Sequence, residues 1–188
     1  IKVLPGEGAF YGPKIGFDFR DVLERSWTLA TVQIDCAMPE RFELRYVTPE
    51  GTEAVPVMLH RAVLGSIERF IAILLEHCAG AFPLWLAPVQ ARILTVTDDQ
   101  KQYAQKLFDQ LRHDDWRVEL DDRNEKLGYK IREAQLAKIP YALVIGDKEV
   151  AAEAVAPRGR GGENLPPEKL ADFIKRLRAE VAREMGEA

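Results

Sequence analysis

Residues 92–120, RILTVTDDQKQYAQKLFDQLRHDDWRVEL, decide the fold of the second half of the chain. Their β-branched and apolar start predicts a strand over residues 92–97. Thr97 and Gln100 have the spacing of a capping box, so a helix is expected to begin there. The apolar stripe of this helix consists of Ala104, Leu107, Phe108 and Leu111. Residues 116–120 then alternate between apolar and charged side chains, as in a half-buried strand, so the stretch predicts a β-α-β unit.

More helices and strands are predicted after this unit. Residues 126–138 have a helical pattern, and 141–145 form a continuous apolar run that ends at Gly146, which suits a strand covered on both faces. A short hairpin is expected over 150–160, and Pro166-Pro167 is expected to open a last helix. This β-α-β-α-β order implies a mostly parallel or mixed sheet with right-handed crossovers.

The first half has a different pattern of strands, turns and one helix. Strands are predicted over residues 14–19 and 30–35, joined by a turn at 21–26, and over 44–47 and 55–59, joined by a turn at 49–51. Apolar residues at helical spacing predict a helix over 67–78, which Gly80 ends. Gly80, Pro83 and Pro88 then indicate a boundary, so two α/β domains are expected, 1–82 and 83–188.

Composition narrows the class of protein. With 188 residues, 47% hydrophobic and 30% charged, the chain is expected to fold rather than to be disordered. A net charge of −4 argues against coating nucleic acid by bulk charge but leaves a local basic patch open. Two cysteines without a C-x-x-C pair favour a reducing, cytoplasmic setting. No membrane span or signal peptide is expected, and the start at Ile1 suggests that residues upstream are missing.

Four features of the first half are candidates for chemistry. His60 ends an apolar strand and is either a packed or solvated residue or one ligand of a metal site. Arg69 either faces solvent or braces phosphates in the first turns of its helix. The glycine-rich stretch 6–14 lacks P-loop spacing. Gln33 and Asp35 share one face of a strand, which is either a polar pocket or a solvated side.

The second half offers two basic segments. Residues 122–126, with Lys130 and Arg132 in the following turns, form either a solvated helix face or a helix terminus suited to a nucleic-acid loop. In the second case Asn124 could read a base edge and Lys126 a phosphate. A smaller basic spot lies at residues 158–162.

Seven segments together resemble the threonyl-tRNA synthetase family. These are residues 6–14, 31–35, 38–42, 56–70, 82–90, 123–131 and 146–149. The resemblance covers essentially the whole chain. It implies an α/β (α+β) fold, in which the partial antiparallel sheet and motif 3 helix of a class II synthetase precede a mixed-sheet α/β anticodon-binding domain.

The same resemblance implies roles for single residues. Arg69 matches the motif 3 arginine that holds ATP, and Thr28 occupies a nucleotide-binding position; the complete enzyme would also use Mg²⁺. His60 matches one of three zinc ligands in a site that binds threonine and rejects valine, and Tyr11 and Gln33 match residues that line this pocket. Positions that contact the anticodon of threonine tRNA are matched by Asn124, Lys126, Arg132, Glu149 and Arg158. The family is a cytoplasmic homodimer without a membrane anchor.

The sequence also departs from the family pattern. Thr28 stands where glutamine is common, Ala30 where glycine is common, and Gly16 where an acidic residue is usual. Motifs 1 and 2, two zinc ligands and an editing domain are expected upstream, so this chain alone is expected to be inactive. The resemblance therefore implies a threonine–tRNA ligase, with a shortened tRNA-binding protein that does not acylate as the alternative.

Overall fold

The structure, a computed structural model, describes residues 1–186. The chain divides into two compact units, Ile1–Cys78 (unit 1) and Ala79–Ala188 (unit 2). Within the described residues, no helix is both long and apolar enough to cross a membrane.

Unit 1 is built on a three-stranded antiparallel sheet. Its elements are β1 (Lys14–Arg20), β2 (Ser26–Asp35), α1 (Met38–Arg41), β3 (Tyr46–Val47), β4 (Glu53–Ala54), β5 (Met58–Ala62) and α2 (Ile67–His77). The sheet order is β1-β2-β5, with a register irregularity between Phe17 and Asp18. Ser66 caps α2 by accepting a hydrogen bond from the Arg69 amide, which explains the start of this helix.

The predicted pairing of strands 44–47 and 55–59 in unit 1 is wrong. The turn is fixed by Thr48, whose amide donates to the Thr52 carbonyl over 2.8 Å, and by Gly51 at φ 77°. This turn pairs β3 with β4 only. β5 pairs with β2 instead, and that pairing aligns Gln33 with His60.

Unit 2 has a mixed five-stranded sheet between two layers of helices. Its elements are β6 (Ala91–Thr95), a 3-10 turn (Asp98–Gln100), α3 (Lys101–His113), β7 (Val118–Asp121), α4 (Leu127–Leu136), β8 (Tyr141–Ile145), α5 (Asp147–Ala152), β9 (Ala154–Gly159), β10 (Glu168–Lys169) and α6 (Leu170–Met185). The strand order is β10-β9-β8-β6-β7. β6 is parallel to β7 and β8, and β9 is antiparallel to β8, so the predicted mixed sheet is confirmed.

Two apolar clusters flank this sheet. The larger one joins α3 and α6 to the strands through residues such as Leu107, Ile93 and Phe173. The smaller one joins α4 to the sheet through Ala134, Leu94 and Ala142. Because neighbouring residues of a strand point to opposite faces, Ile93 and Leu94 place α4 across the sheet from α3 and α6.

Two details of the second half differ from the prediction. Residues 150–160 are not a hairpin, because the Gly146 amide donates to Glu149 Oε2 over 2.9 Å and starts α5, which runs on to Ala152 before β9 begins. The last helix begins at Leu170 rather than at Pro166-Pro167, because β10 first pairs with β9. The capping box at Thr97 and Gln100 is present as expected.

Candidate functional site

Unit 1 brings three of the predicted pocket residues together around a buried carboxylate. Gln33 and His60 are direct cross-strand neighbours, and His60 Nε2 lies 2.9 Å from Asp35 Oδ2. The Tyr11 hydroxyl donates to Gln33 Oε1 over 3.4 Å, and the Tyr11 and His60 rings meet edge to face at 6.2 Å. We call Tyr11, Gln33, Asp35 and His60 the histidine cluster.

The charge of Asp35 fixes how His60 presents itself. Asp35 is 1% exposed. Burial raises the pKa of its carboxyl group, but hydrogen bonds from the Met38 amide, His60 and the Ala37 amide outweigh burial and leave this pKa below its ordinary value. An ionised Asp35 only accepts hydrogen bonds, so in the neutral ring Nε2 carries the proton and Nδ1 keeps its lone pair.

This arrangement fits one ligand of a zinc site. Metal-binding histidines commonly donate their other ring N–H to a carboxylate, as His60 does to Asp35. Among residues 1–186, no group of three or more His, Cys, Asp and Glu side chains could hold a metal ion. Within the described residues His60 is therefore an oriented ligand without a complete metal site around it. In the sequence, its partner Asp35 was signalled only by its period-two spacing from Gln33.

The glycine-rich loop is held against β2 beside the cluster. The Cys36 amide donates to the Tyr11 carbonyl over 3.0 Å, and the Ile34 amide donates to the Pro13 carbonyl over 3.1 Å. A Cβ on Gly12 would lie 2.0 Å from the Ile34 carbonyl oxygen. Only glycine allows this close approach, which sets the position of Tyr11.

The predicted nucleotide residues lie elsewhere in unit 1. Arg69, in the first turn of α2, is exposed, and its guanidinium lies 5.6 Å from the centre of the Trp27 ring. Thr28 Oγ1 donates to Asp18 Oδ1 over 2.5 Å. A Cβ on Gly16 would lie 3.4 Å from Thr28 Cγ2, so two of the departures from the family pattern are neighbours across β1 and β2.

In unit 2 the predicted RNA residues are arranged around α4. Asn124 and Lys126 are exposed in the segment that connects β7 to α4, and Arg132 is exposed on α4 itself. Arg158 pairs across strands with Ala142, a member of the α4 cluster, so its side chain lies on the same face of the sheet. We call Asn124, Lys126, Arg132 and Arg158 the α4 surface.

The remaining predicted RNA residue and one neighbour have other contacts. Glu149 Oε2 caps α5 by accepting a hydrogen bond from the Gly146 amide over 2.9 Å. Arg158 Nη1 donates to Asn164 Oδ1 over 2.9 Å. Gln135 was not predicted as an RNA residue. Its Nε2 lies 3.3 Å from the point that a Cβ on Gly162 would occupy, and Arg158 Nη2 lies near the same point.

Lys130 does not lie on an exposed face of α4, contrary to the sequence interpretation. It is 1% exposed, and its ammonium group donates to the Thr95 carbonyl over 2.9 Å and to the Asp121 carbonyl over 3.2 Å. The helix pattern could not reveal this, because Lys130 stands between two other basic residues, Lys126 and Arg132, which are both exposed.

Comparison with known proteins agrees with this division into two units. The family model described as the tRNA synthetase class II core domain (G, H, P, S and T) matches residues 1–78, and the anticodon binding domain matches residues 90–180. With the antiparallel sheet of unit 1 and the mixed sheet of unit 2, these matches place the chain in the class II aminoacyl-tRNA synthetases.

Within that class, the resemblance to the C-terminal part of threonyl-tRNA synthetase is confirmed. The threonine–tRNA ligase of Caldanaerobacter subterraneus is 56% identical over 181 residues, which are 96% of this chain and 28% of the relative. That of Maridesulfovibrio salexigens is 64% identical over 87% of the chain and 25% of the relative. The chain thus spans little more than a quarter of the length of these relatives.

A solved structure has the same fold. The crystal structure of the RNA binding domain of threonyl-tRNA synthetase from Cryptosporidium parvum superposes with a TM-score of 0.85 at 38% identity, covering 93% of this chain and 44% of that one. A putative threonyl-tRNA synthetase from Aeropyrum pernix gives a TM-score of 0.67 at 28% identity, covering 97% of this chain and 45% of that one.

Proposed function

We propose that this chain supplies the motif 3 end of the catalytic site and the anticodon-binding domain of a threonine–tRNA ligase. Residues 1–82 would form the catalytic part and residues 83–188 the anticodon-binding part. The observation that carries the proposal is the histidine cluster, in which the buried Asp35 orients an exposed His60 beside Tyr11 and Gln33.

The histidine cluster would bind the amino acid. His60 Nδ1 would be one zinc ligand. Bound zinc would act as a Lewis acid and would bind the amino group and the hydroxyl of threonine. Asp35 would keep His60 in the ligating tautomer. Tyr11 and Gln33, already joined by a hydrogen bond, would line the pocket and orient the substrate. Valine would be rejected because it leaves the polar groups of the site unpaired.

Arg69 would bind ATP. A guanidinium held over the Trp27 ring keeps its N–H fork free to pair with phosphate oxygens. Thr28 would lie at the nucleotide site with its hydroxyl turned to Asp18, and Mg²⁺ would neutralise the phosphates. The residues of this chain would thus act by positioning and charge stabilisation.

The α4 surface would bind the anticodon of threonine tRNA. RNA sequence is read mainly on splayed bases of single-stranded loops, with amide and guanidinium groups on base edges and lysine on phosphate. Exposed Asn124, Arg132 and Lys126 provide these groups. Arg158 and Glu149 would contact the same loop or its backbone. We further propose a homodimer in the cytoplasm, a setting that suits the free thiols of Cys36 and Cys78.

Replacing His60 by alanine is expected to remove zinc and activity together. In a protein that carries this chain within the length of its relatives, H60A should lose stoichiometric zinc and threonine-dependent exchange of pyrophosphate into ATP, because a three-ligand catalytic site loses a ligand. Elemental analysis and the exchange assay measure the two losses. His77→Ala is the matched control, since His77 is exposed at the end of α2 in the same unit.

Zinc retained by H60A at parent stoichiometry would contradict the ligand assignment. No threonine-dependent exchange in the parent protein would contradict the ligase itself. In that case the second candidate, a tRNA-binding protein that does not acylate, would stand. It is favoured by one observation: the hydroxyl of Thr28, at a predicted nucleotide position, is already bound by Asp18.

Replacing Arg132 or Asn124 by alanine is expected to weaken RNA binding about tenfold to a hundredfold without unfolding unit 2. Both side chains are exposed, so the fold loses little, whereas a contact to a base or phosphate is lost. The measurement is the affinity of the 188-residue chain for a hairpin RNA that carries the anticodon loop of a threonine tRNA, at fixed moderate salt.

Arg178→Ala is the matched control for this experiment. It removes the same charge from α6, across the sheet from α4, where the Arg178 side chain is 66% exposed. Equal affinities of parent, N124A and R132A would argue against the anticodon role, and an equal loss in R178A would indicate bulk charge alone.

A further inference from the structure

Lys130 is a buried cation that connects three elements. Its Nζ lies 2.9 Å from the Thr95 carbonyl oxygen, 3.2 Å from Thr95 Oγ1 and 3.2 Å from the Asp121 carbonyl oxygen. Thr95 is the last residue of β6, and Asp121 is the last residue of β7. One side chain from α4 therefore joins the carboxyl ends of two parallel strands.

The backbone of Lys130 reaches the other end of the exposed segment. Its amide donates to the Lys126 carbonyl over 3.2 Å. Segment 122–126 thus follows Asp121, whose carbonyl accepts from the Lys130 ammonium, and ends at Lys126, whose carbonyl accepts from the Lys130 amide. The amide bond is the ordinary first-turn bond of α4, so the contact specific to the Lys130 side chain is the one to the two strand ends.

A second set of contacts fixes the path within this segment. The Asp121 carboxylate accepts from the Arg123 amide at 3.3 Å and from its Nε and Nη2 at 2.8 and 2.6 Å. The Arg123 guanidinium also pairs with Glu133 on α4. The Arg123 carbonyl accepts a hydrogen bond from the Glu125 amide at 2.9 Å. Hydrogen bonds from Arg123 lower the pKa of Asp121 and of Glu133, so both carboxylates stay ionised at neutral pH.

Burial of the Lys130 ammonium costs free energy of folding, so stability alone does not explain its position. Transfer of an ammonium from water to the interior carries a large penalty, and an apolar residue of similar volume often serves the fold as well. What the ammonium adds is three directed hydrogen bonds to strand ends that no apolar side chain could hold. This points to specification of the backbone path of 122–126 rather than to a packing role.

We propose that Lys130 is a positioning residue for RNA recognition, which holds segment 122–126 in the conformation that presents Asn124 and Lys126 to a single-stranded RNA loop. Lys130 does not itself contact RNA. The Asp121–Arg123–Glu133 chain supports the same conformation from the exposed side. The inference rests on the proposed RNA role of the α4 surface.

The test uses the 188-residue chain and the anticodon hairpin RNA, with the variants Lys130→Met and Asp121→Asn. We expect K130M to bind at least about tenfold more weakly, because Asn124 and Lys126 are no longer held in place for the RNA. Amide exchange should accelerate at residues 123–126 but not at Leu143 and Ile145 in β8. D121N should also bind more weakly, although it removes a negative charge and bulk electrostatics alone would strengthen binding.

The other outcomes overturn the inference in distinguishable ways. Parent affinity in K130M, with N124A still weakened, removes the positioning role and leaves the proposed function standing. Uniformly faster amide exchange in K130M means a purely structural role. If K130M does not fold, D121N tests the fixed path of segment 122–126 through the Asp121–Arg123–Glu133 chain: weaker binding supports it, and equal or tighter binding overturns it. Parent affinity in N124A, R132A and K130M alike removes the RNA role itself.

Discussion

Replacing Phe173 by alanine is expected to lower the free energy of unfolding of unit 2 by about 3–5 kcal/mol. Phe173 is 0% exposed, and its ring meets the Tyr141 ring edge to face at 5.6 Å in the larger apolar cluster. Truncation removes buried apolar surface and leaves a cavity. Since domains of this size are stable by only about 5–15 kcal/mol, the loss takes a large part of the total.

Urea unfolding followed by far-ultraviolet circular dichroism measures this loss, because α3, α4, α5 and α6 all belong to unit 2. Met185→Ala is the control: Met185 lies on the same helix but is 52% exposed, so a change within about 0.5 kcal/mol is expected. A loss under about 1 kcal/mol in F173A would show that Phe173 does not lie in the larger apolar cluster.

Replacing Gly12 by alanine is expected to disrupt the histidine cluster. The added Cβ would meet the Ile34 carbonyl oxygen at 2.0 Å, and since both are tied to backbone, no rotamer change relieves the clash. The loop must move off β2 and break the hydrogen bonds of the Cys36 and Ile34 amides. Displacement of a positioning side chain by about 1 Å can cost about a hundredfold in rate, so threonine-dependent exchange by the complete protein should fall about that much.

Gly8→Ala is the matched control, because a Cβ there meets only the Gly12 carbonyl oxygen at an ordinary 3.7 Å. In the 188-residue chain, G12A should also speed amide exchange at Ile34 and Cys36, whereas G8A should not. Parent rates of exchange at both amides in G12A would show that the loop does not pack against β2 as described.

The parts of the fold that follow from local signals were predicted from sequence. The capping box at Thr97 and Gln100 and the apolar run 141–145 each act within a few residues, and both lie where expected. The hairpin over 150–160 failed because a side-chain cap at Glu149 favours a helical turn that apolar patterning does not reveal. The predicted start of the last helix at Pro166-Pro167 failed because residues 168 and 169 first pair with β9 as the short strand β10.

In the candidate site, too, the sequence named single residues but not the contacts between distant segments. The resemblance named Tyr11, Gln33 and His60, but only the register of β2 and β5 shows that Asp35 is their buried partner. Lys130 was assigned to the wrong side of α4, because its environment is made by two strand ends, one of which, at Thr95, lies 35 residues away in sequence. Contacts between distant segments are therefore what the sequence pattern lacks.

The most direct test of the account is to map where RNA touches the chain. Amide resonances of the isotope-labelled 188-residue protein would be followed during titration with the anticodon hairpin of a threonine tRNA. We expect saturable shifts at residues 122–132 and 158–164, the α4 side of unit 2, and none along the exposed face of α6. Shifts confined to α3 and α6, or no shifts at a concentration of RNA that saturates a complete threonine–tRNA ligase, would contradict it.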